Sequence, residues 1–339
     1  MNVSKLRALQ NYYIYDLCST QIPSVKNREE FNLLYSGDFV PTPLFSKNKK
    51  MENIVFRKGI KLQKILYVVV MLCIAIIAPI TAKERIISLA PALTDIIVAL
   101  DKGDELVGVT NYCDVPDRFS DVTKIGGFLD ANYERIITLK PTIAFVYDEN
   151  TRVIDFLIHR NIPYVAVAHR NINDIYTAID VISTSLNAQK KGESVVSDMQ
   201  TQLAAIAVRH PAYSKRKKVM LVIGRDKGSL QNMYIAGGGD FLSELLILMN
   251  AENVYGGDVP YPKVSIESVV RMNPDVIVEF LQDDVRARGE DAVKGDWKKY
   301  TAVRAVRDNA IKEADPDYKL YPSTRIVEIA QMLERLLYE

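Results

Sequence analysis

The sequence predicts an α/β fold of two Rossmann-like lobes joined by a single long helix. Three observations predict it. From Lys83 onward, short apolar runs alternate with segments of helical period, the rhythm of βα units and mostly parallel sheets. A stretch without proline, residues 174–210, is longer than a small α/β lobe can use and suits a strut between two lobes. A module of helix, proline and strand occurs twice, once on either side of that stretch.

In the first half, strands are expected over residues 85–89, 105–110, 142–147 and 163–168. Helices are expected over 94–100, 133–139 and 151–160, with Pro141 closing the second, because a proline disfavours helix in the residue before it. In the strut, Ile175, Ala178, Ile179, Ile182 and Leu186 recur at three- and four-residue spacing, and only Gly192 interrupts the pattern. The basic cluster Lys215-Arg216-Lys217-Lys218 ends it. The second lobe opens with a strand at 219–223, continues with helices at 240–249 and 265–272 and a strand at 275–280, and closes with an amphipathic helix at 323–338. Asp240, after Gly237-Gly238-Gly239, and Ser323, after Pro322, are the expected N-caps. The lobes therefore span 83–173 and 213–339, with the linking helix over 174–212.

The repeated module is explicit. Tyr133-Glu134-Arg135-Ile136-Ile137 leads to Pro141 and an apolar strand, and Ile266-Glu267-Ser268-Val269-Val270 leads to Pro274 and another. A Gly-Gly pair precedes each, Gly126-Gly127 and Gly256-Gly257. Pseudo-symmetry between the lobes follows.

The front of the chain reads as an address. Residues 65–80 are almost wholly apolar, follow Arg57, Lys58, Lys61 and Lys64, and end in Pro79-Ile80-Thr81-Ala82. That is the build of a signal peptide over 51–82, cleaved after Ala82. As helix the apolar run spans only about 24 Å, short of the roughly 30 Å hydrocarbon core, so a retained membrane anchor is the lesser reading. Cys73 follows Met71-Leu72 rather than a small residue, so lipidation is not expected. Met51 opens a credible basic n-region, and residues 1–50 are read as an over-extended gene start or, alternatively, a poorly ordered tail. The expected location is the periplasm.

Charge and residue counts exclude several functions. Residues 1–82 hold 11 Lys and Arg against 5 Asp and Glu, and the remainder holds 32 against 37. A mildly acidic body without a basic stripe argues against nucleic-acid binding. His159, His169 and His210 lack metal-ligand spacing, so no metal site is expected, and a zinc- or manganese-carrying protein is disfavoured. Cys113 has no histidine near it in sequence to serve as a base, so no enzymatic activity is expected.

Several segments resemble the periplasmic binding proteins for vitamin B12, haem and ferric siderophores. These are Ile86-Ile87-Ser88-Leu89-Ala90-Pro91, Leu106-Val107-Gly108-Val109-Thr110-Asn111-Tyr112, Ile125-Gly126-Gly127-Phe128, Val259-Pro260-Tyr261-Pro262-Lys263 and Asn273-Pro274-Asp275-Val276-Ile277. The resemblance implies the helical-backbone form of that fold and a monomer without a cofactor. It implies a small-molecule ligand carried between the lobes to the permease dimer of an ABC importer. It implies ligand contacts at Tyr112, Phe128 and Tyr261, where flat aromatic faces suit a corrin or porphyrin. A corrinoid such as cobalamin ranks first, and a ferric siderophore or haem is the alternative. The other class of reading is a membrane-anchored ligand sensor. The resemblance further implies that Glu134 and Glu267 dock on arginines of the two permease subunits, against the plainer role of complementing a helix dipole. Arg225 follows the first strand of the second lobe, and ligands gather beyond the carboxyl ends of such strands. It is therefore a candidate partner for a propionate, phosphate or catecholate, or else a solvated loop charge. Trp297 either flanks the cleft or caps a helix.

Overall fold

The computed structural model describes residues 83–210, 216–315 and 319–339. The expected signal segment and the preceding tail lie outside the described residues. All described residues fall in one compact unit, Thr81–Glu339.

The first lobe is a parallel sheet in the order β3-β2-β1-β4-β5. Its strands are β1 (Ile86–Ser88), β2 (Leu106–Val109), β3 (Thr123–Lys124), β4 (Ile143–Tyr147) and β5 (Tyr164–Val167). Helices α1 (Pro91–Ala99), α2 (Tyr133–Thr138) and α3 (Thr151–His159) connect them. Strands buried on both faces need near-continuous apolar sequence, and Ile86, Ile87, Ala144, Phe145 and Val146 are all fully buried. Asn132 and Asn150 cap α2 and α3 by accepting from the main-chain N–H groups of Arg135 and Val153.

The segment expected as one helix is two. Helix α4 (Ile172–Ser185) ends where Asn187 takes a left-handed φ of +53°, and α5 (Gln189–Arg209) begins two residues later. Asparagine tolerates that conformation, which is how many helices stop. Gly192 does not break a helix. It lies inside α5, where an added Cβ would come within 2.4 Å of Ser183 Oγ on α4, so the residue lets the two helices touch. Helix α5 leads from the first lobe into the second.

The second lobe has the strand order β11-β10-β6-β7-β9, with β8 also paired to β6. The strands are β6 (Lys217–Gly224), β7 (Met233–Ile235), β8 (Ala251–Asn253), β9 (Lys263–Val264), β10 (Val276–Glu279) and β11 (Ile311–Glu313). Around them run α6 (Phe241–Leu248), α7 (Ile266–Met272), α8 (Gln282–Arg288), α9 (Glu290–Gly295), α10 (Arg304–Arg307) and α11 (Ile326–Tyr338). The repeated module is seen in three dimensions. In each lobe the module's strand pairs in parallel with the lobe's first strand, β4 with β1 and β10 with β6. Each module helix ends in a left-handed residue before its proline, Lys140 at φ +45° and Asn273 at φ +47°.

Two sequence expectations are corrected. Ser323 does not cap α11, whose N-cap is Arg325 without a side-chain bond. Ser323 Oγ instead donates to Asp95 of the first lobe at 3.1 Å. Trp297 neither flanks a cleft nor caps a helix. It is fully buried in the core of the second lobe with Met220, Ile277 and Val303.

The largest apolar core runs through both lobes, joining Phe145, Val167 and Ile179 to Val219, Leu245 and Leu333. Helix α11 runs parallel to α5 across this junction. Its start is held by Arg325 Nε donating to Asp95 Oδ2 of the first lobe at 2.9 Å. Its end is held by the Tyr338 hydroxyl donating to the Met249 carbonyl of the second at 2.6 Å. Between them, Glu334 accepts from Arg209 at 2.6 Å at the end of α5.

Candidate functional site

In the first lobe, aromatic side chains gather at the carboxyl ends of the parallel strands, where an open α/β sheet leaves its crevice. Tyr147 closes β4, and His169 follows β5 and stacks on it with ring centroids 3.7 Å apart and planes 18° from parallel. Phe128, after β3, is tilted against Tyr147 with ring centroids 6.1 Å apart. Asn150 donates to the Phe128 carbonyl at 2.9 Å and so pins the turn as well as capping α3. Tyr112, in the turn after β2, is 68% exposed. Its ring lies over Gly127, where an added Cβ would stand 3.6 Å from it.

Tyr261 faces this group from the second lobe. It lies in the loop between β8 and β9, and that loop is held by Gly237 and Gly238, whose N–H groups donate to the carbonyls of Pro260 and Gly257. An added Cβ at Gly237 would sit 1.8 Å from the Val259 carbonyl oxygen, so only glycine fits there. The Gly237-Gly238-Gly239 run is thus a place of close backbone approach, more than a turn. The Tyr261 hydroxyl is pushed up to about 12 by burial, by Asp240 of its own lobe and by Glu149 of the other. Tyr147 is raised by burial and then by Glu149 and Tyr261. Glu149 thus acts on both Tyr147 of the first lobe and Tyr261 of the second. Leu129, next to Phe128 in sequence, and Val259, two residues before Tyr261, are exposed apolar side chains at 79% and 52%.

The electrostatics of the site come from buried or paired groups. Burial holds the His169 imidazole below its ordinary value, against the pull of Glu149, whose Oε1 is 3.8 Å from His169 Nε2. Asp240 caps α6 by accepting from the Ser243 N–H at 2.8 Å, and its other oxygen, Oδ2, has no partner. Burial pushes its carboxyl up to about 6. Cys113 is buried, with its Sγ between the hydroxyls of Thr94 at 3.1 Å and Thr110 at 2.9 Å, so it serves packing. Among the described residues no group of three potential ligands could hold a metal ion.

Arg225 is not part of this group. Its side chain is wholly buried, and all five of its N–H donors are used. They go to both carboxylate oxygens of Glu279 at 2.7 and 3.1 Å, to Asp296 at 2.8 Å, and to the carbonyls of Ser229 and Val293 at 2.9 and 3.2 Å. A guanidinium so occupied has no donor left for a ligand. Glu134 and Glu267 stand at equivalent places, each exposed in the first turn of its module helix. Hydrogen bonding to Ser265 lowers the Glu267 carboxyl, which keeps it charged.

Tyr112 and Phe128 lie beside Tyr147, Glu149 and His169 of the first lobe, which the sequence reading did not name, and Tyr261 lies in a loop of the second. The available signal for the three unnamed residues was position: each ends or follows a parallel strand of the first lobe. Sequence reading also missed the segment before α11, which bonds to the turn that carries Tyr112. There the Tyr321 hydroxyl donates to the Tyr112 carbonyl at 3.3 Å, and Lys319 pairs with Asp114.

Two α/β lobes with a helix leading from one to the other are the architecture of a solute-binding protein. The chain belongs to the periplasmic binding protein family, whose model matches residues 86–318. It is 27% identical over 262 residues to an ABC transporter substrate-binding lipoprotein of Bacillus subtilis, covering 75% of this chain and 80% of that one. It is 27% identical over 258 residues to the vitamin B12-binding protein of Vibrio parahaemolyticus, covering 74% and 90%. Among solved structures, the periplasmic haem-binding protein of Vibrio cholerae superposes with a TM-score of 0.67 at 23% identity, covering 76% of this chain and all of that one. The protein is therefore a substrate-binding protein of the ABC-transporter type, a family whose members are extracytoplasmic and work with a permease. The family is one of solute carriers rather than enzymes. Among the described residues no helix is long and apolar enough to cross a membrane.

Proposed function

We propose that the protein captures a corrinoid such as cobalamin between its lobes and hands it to the permease of an ABC importer. The observation that carries this reading is the set of aromatic faces on both sides of one space, with Tyr112, Phe128 and Tyr147 on the first lobe and Tyr261 on the second. Flat rings bury large area at little entropic cost and suit the broad face of a tetrapyrrole-like ring. Relatives named vitamin B12-binding protein support the choice. Calorimetric titration of the purified protein with cyanocobalamin, haemin and a ferric siderophore tests it. Saturable binding of cyanocobalamin is expected, and binding of haemin or the siderophore alone would replace the corrinoid reading.

The permease contact proposed for this chain is Glu134 on one lobe and Glu267 on the other. Both carboxylates are exposed and hold equivalent places in the two lobes, and a carboxylate can meet arginine in two-pronged fashion. Replacing both by alanine is expected to leave ligand affinity and folding nearly intact and to abolish transport in the reconstituted importer. Full transport by the double variant would refute the docking role.

A further inference from the structure

The two module helices, α2 and α7, present matched surfaces to solvent. Ile136 and Val269, at equivalent places, are fully buried in the cores of their lobes. The positions exposed in both modules pair Glu134 with Glu267, Ile137 with Val270, Thr138 with Arg271 and Lys140 with Asn273. The last two pairs differ in chemistry. Thr138 turns its hydroxyl back to the Glu134 carbonyl at 2.9 Å, whereas Arg271 donates to Ser268 Oγ at 2.9 Å. The first two pairs agree. Each module has a glutamate in the first turn and, three residues on, a β-branched apolar side chain, 42% exposed at Ile137 and 37% at Val270. One exposed apolar residue needs no explanation, because surfaces carry many. A pair matched across the repeat does. The position faces solvent, so the core does not demand it. Helix propensity does not demand it either, since a β-branched side chain loses rotamer freedom in a helix that alanine or lysine would keep.

We propose that Ile137 and Val270 are the apolar half of a two-part contact, repeated on each lobe, by which the protein seats on the two subunits of the permease. The inference rests on the reading of Glu134 and Glu267 as permease contacts and deepens it. Residues three apart on a helix are neighbours, with Cβ atoms roughly 5–6 Å apart, so each lobe sets a carboxylate beside an apolar side chain. The surface that fits is an arginine bordered by an apolar side chain. Closing the apolar pair excludes water from the rim of the ion pair, where lower dielectric strengthens it. Two equal contacts, one per lobe, suit a partner that offers one such surface twice. A second copy of this chain meeting it contact to contact would instead set carboxylate against carboxylate.

The test measures docking of the purified, unloaded protein on the importer permease in nanodiscs by surface plasmon resonance, so no ligand need be known. Ile137→Ala and Val270→Ala are each expected to weaken docking about tenfold, alike within about threefold, and the double variant about a hundredfold. Leucine at both positions should restore docking to within about threefold of wild type. Alanine is the better helix former, so the melting temperature should hold or rise and unfolding cannot mimic the loss. High salt should shrink the defect of the Glu134→Ala, Glu267→Ala double variant and leave that of the apolar double variant in place. Wild-type docking by the apolar double variant, with docking lost in the glutamate double variant, would overturn the apolar contact and leave the carboxylate reading standing. A loss confined to one lobe would overturn the repeated contact. Wild-type docking by both double variants, or no docking by the wild type, would overturn the inference and the reading beneath it. A wild-type dimer in sedimentation that Ile137→Ala dissociates would assign the surface to a second copy and overturn the permease assignment.

Discussion

Arg225→Met separates a structural role for this residue from a ligand-binding one. The guanidinium makes three hydrogen bonds to carboxylates and two to carbonyls in a region where it and Glu279 are completely buried. Methionine fills much of the same volume but leaves Glu279 a buried, uncompensated charge. Breaking such a pair by removing one partner costs about 3–5 kcal/mol. Glu313 cannot take the place of the lost cation. It lies opposite Glu279 in the register of β10 and β11, and neither of its carboxyl oxygens has a partner. For a domain of this size each kcal/mol lowers Tm by roughly 2–4 °C, so a drop of about 10 °C is expected in scanning calorimetry. The folded variant should bind ligand with near wild-type affinity. A Tm unchanged within about 2 °C, or a large loss of affinity in a protein that stays folded, would refute the reasoning and return Arg225 to the ligand site.

Phe128→Ala and Tyr261→Ala should each weaken cyanocobalamin binding by roughly 1–3 kcal/mol in titration calorimetry, and unaltered affinity in both would remove them from the site. Burial and then the Glu279 charge push the Glu313 carboxyl up to about 8, above its unfolded value, so its stabilising contribution is present in acid and is lost as pH rises toward and through that value. Glu313→Gln does not titrate, so between about pH 5 and about pH 9 its stability relative to wild type should improve by on the order of 2 kcal/mol in denaturant melts. Gly192→Ala would stabilise an exposed helix by about 1 kcal/mol, yet here the new Cβ meets Ser183, and a loss of roughly 1–3 kcal/mol is expected from the same melts.

Most of the elements were legible because their signals are local. Apolar runs gave the central strands β1, β4, β6 and β10, and helical periodicity gave α3, α4 and α11. The lobe repeat was legible from Glu134 to Pro141 and from Glu267 to Pro274, because one module buries the same face in each lobe. The break at Asn187 was not, since no proline or glycine marks it, although the residue takes a left-handed conformation that asparagine tolerates. The short edge strands β3 and β9 have two residues each, too few for any period. At the site, aromatic residues in Gly- and Pro-marked loops stood out. Tyr147 and His169 did not, because each reads as the end of an ordinary buried strand. Arg225 misled for the complementary reason: its position after β6 is visible in sequence, whereas Glu279 and Asp296, which consume it, lie 54 and 71 residues away.

The chain passes between its lobes in α5 and comes back in the segment that holds Lys319, Tyr321 and Arg325 against Asp114, Tyr112 and Asp95 before α11 runs beside α5 once more. A body tied along two lines rather than one cannot swivel about a single pivot. The jaws can rock slightly and little else, so the empty and loaded forms should share nearly the same outline in small-angle scattering. Because Tyr321 holds the very turn that bears Tyr112, any tug on that turn during hand-over is felt at once at the root of α11.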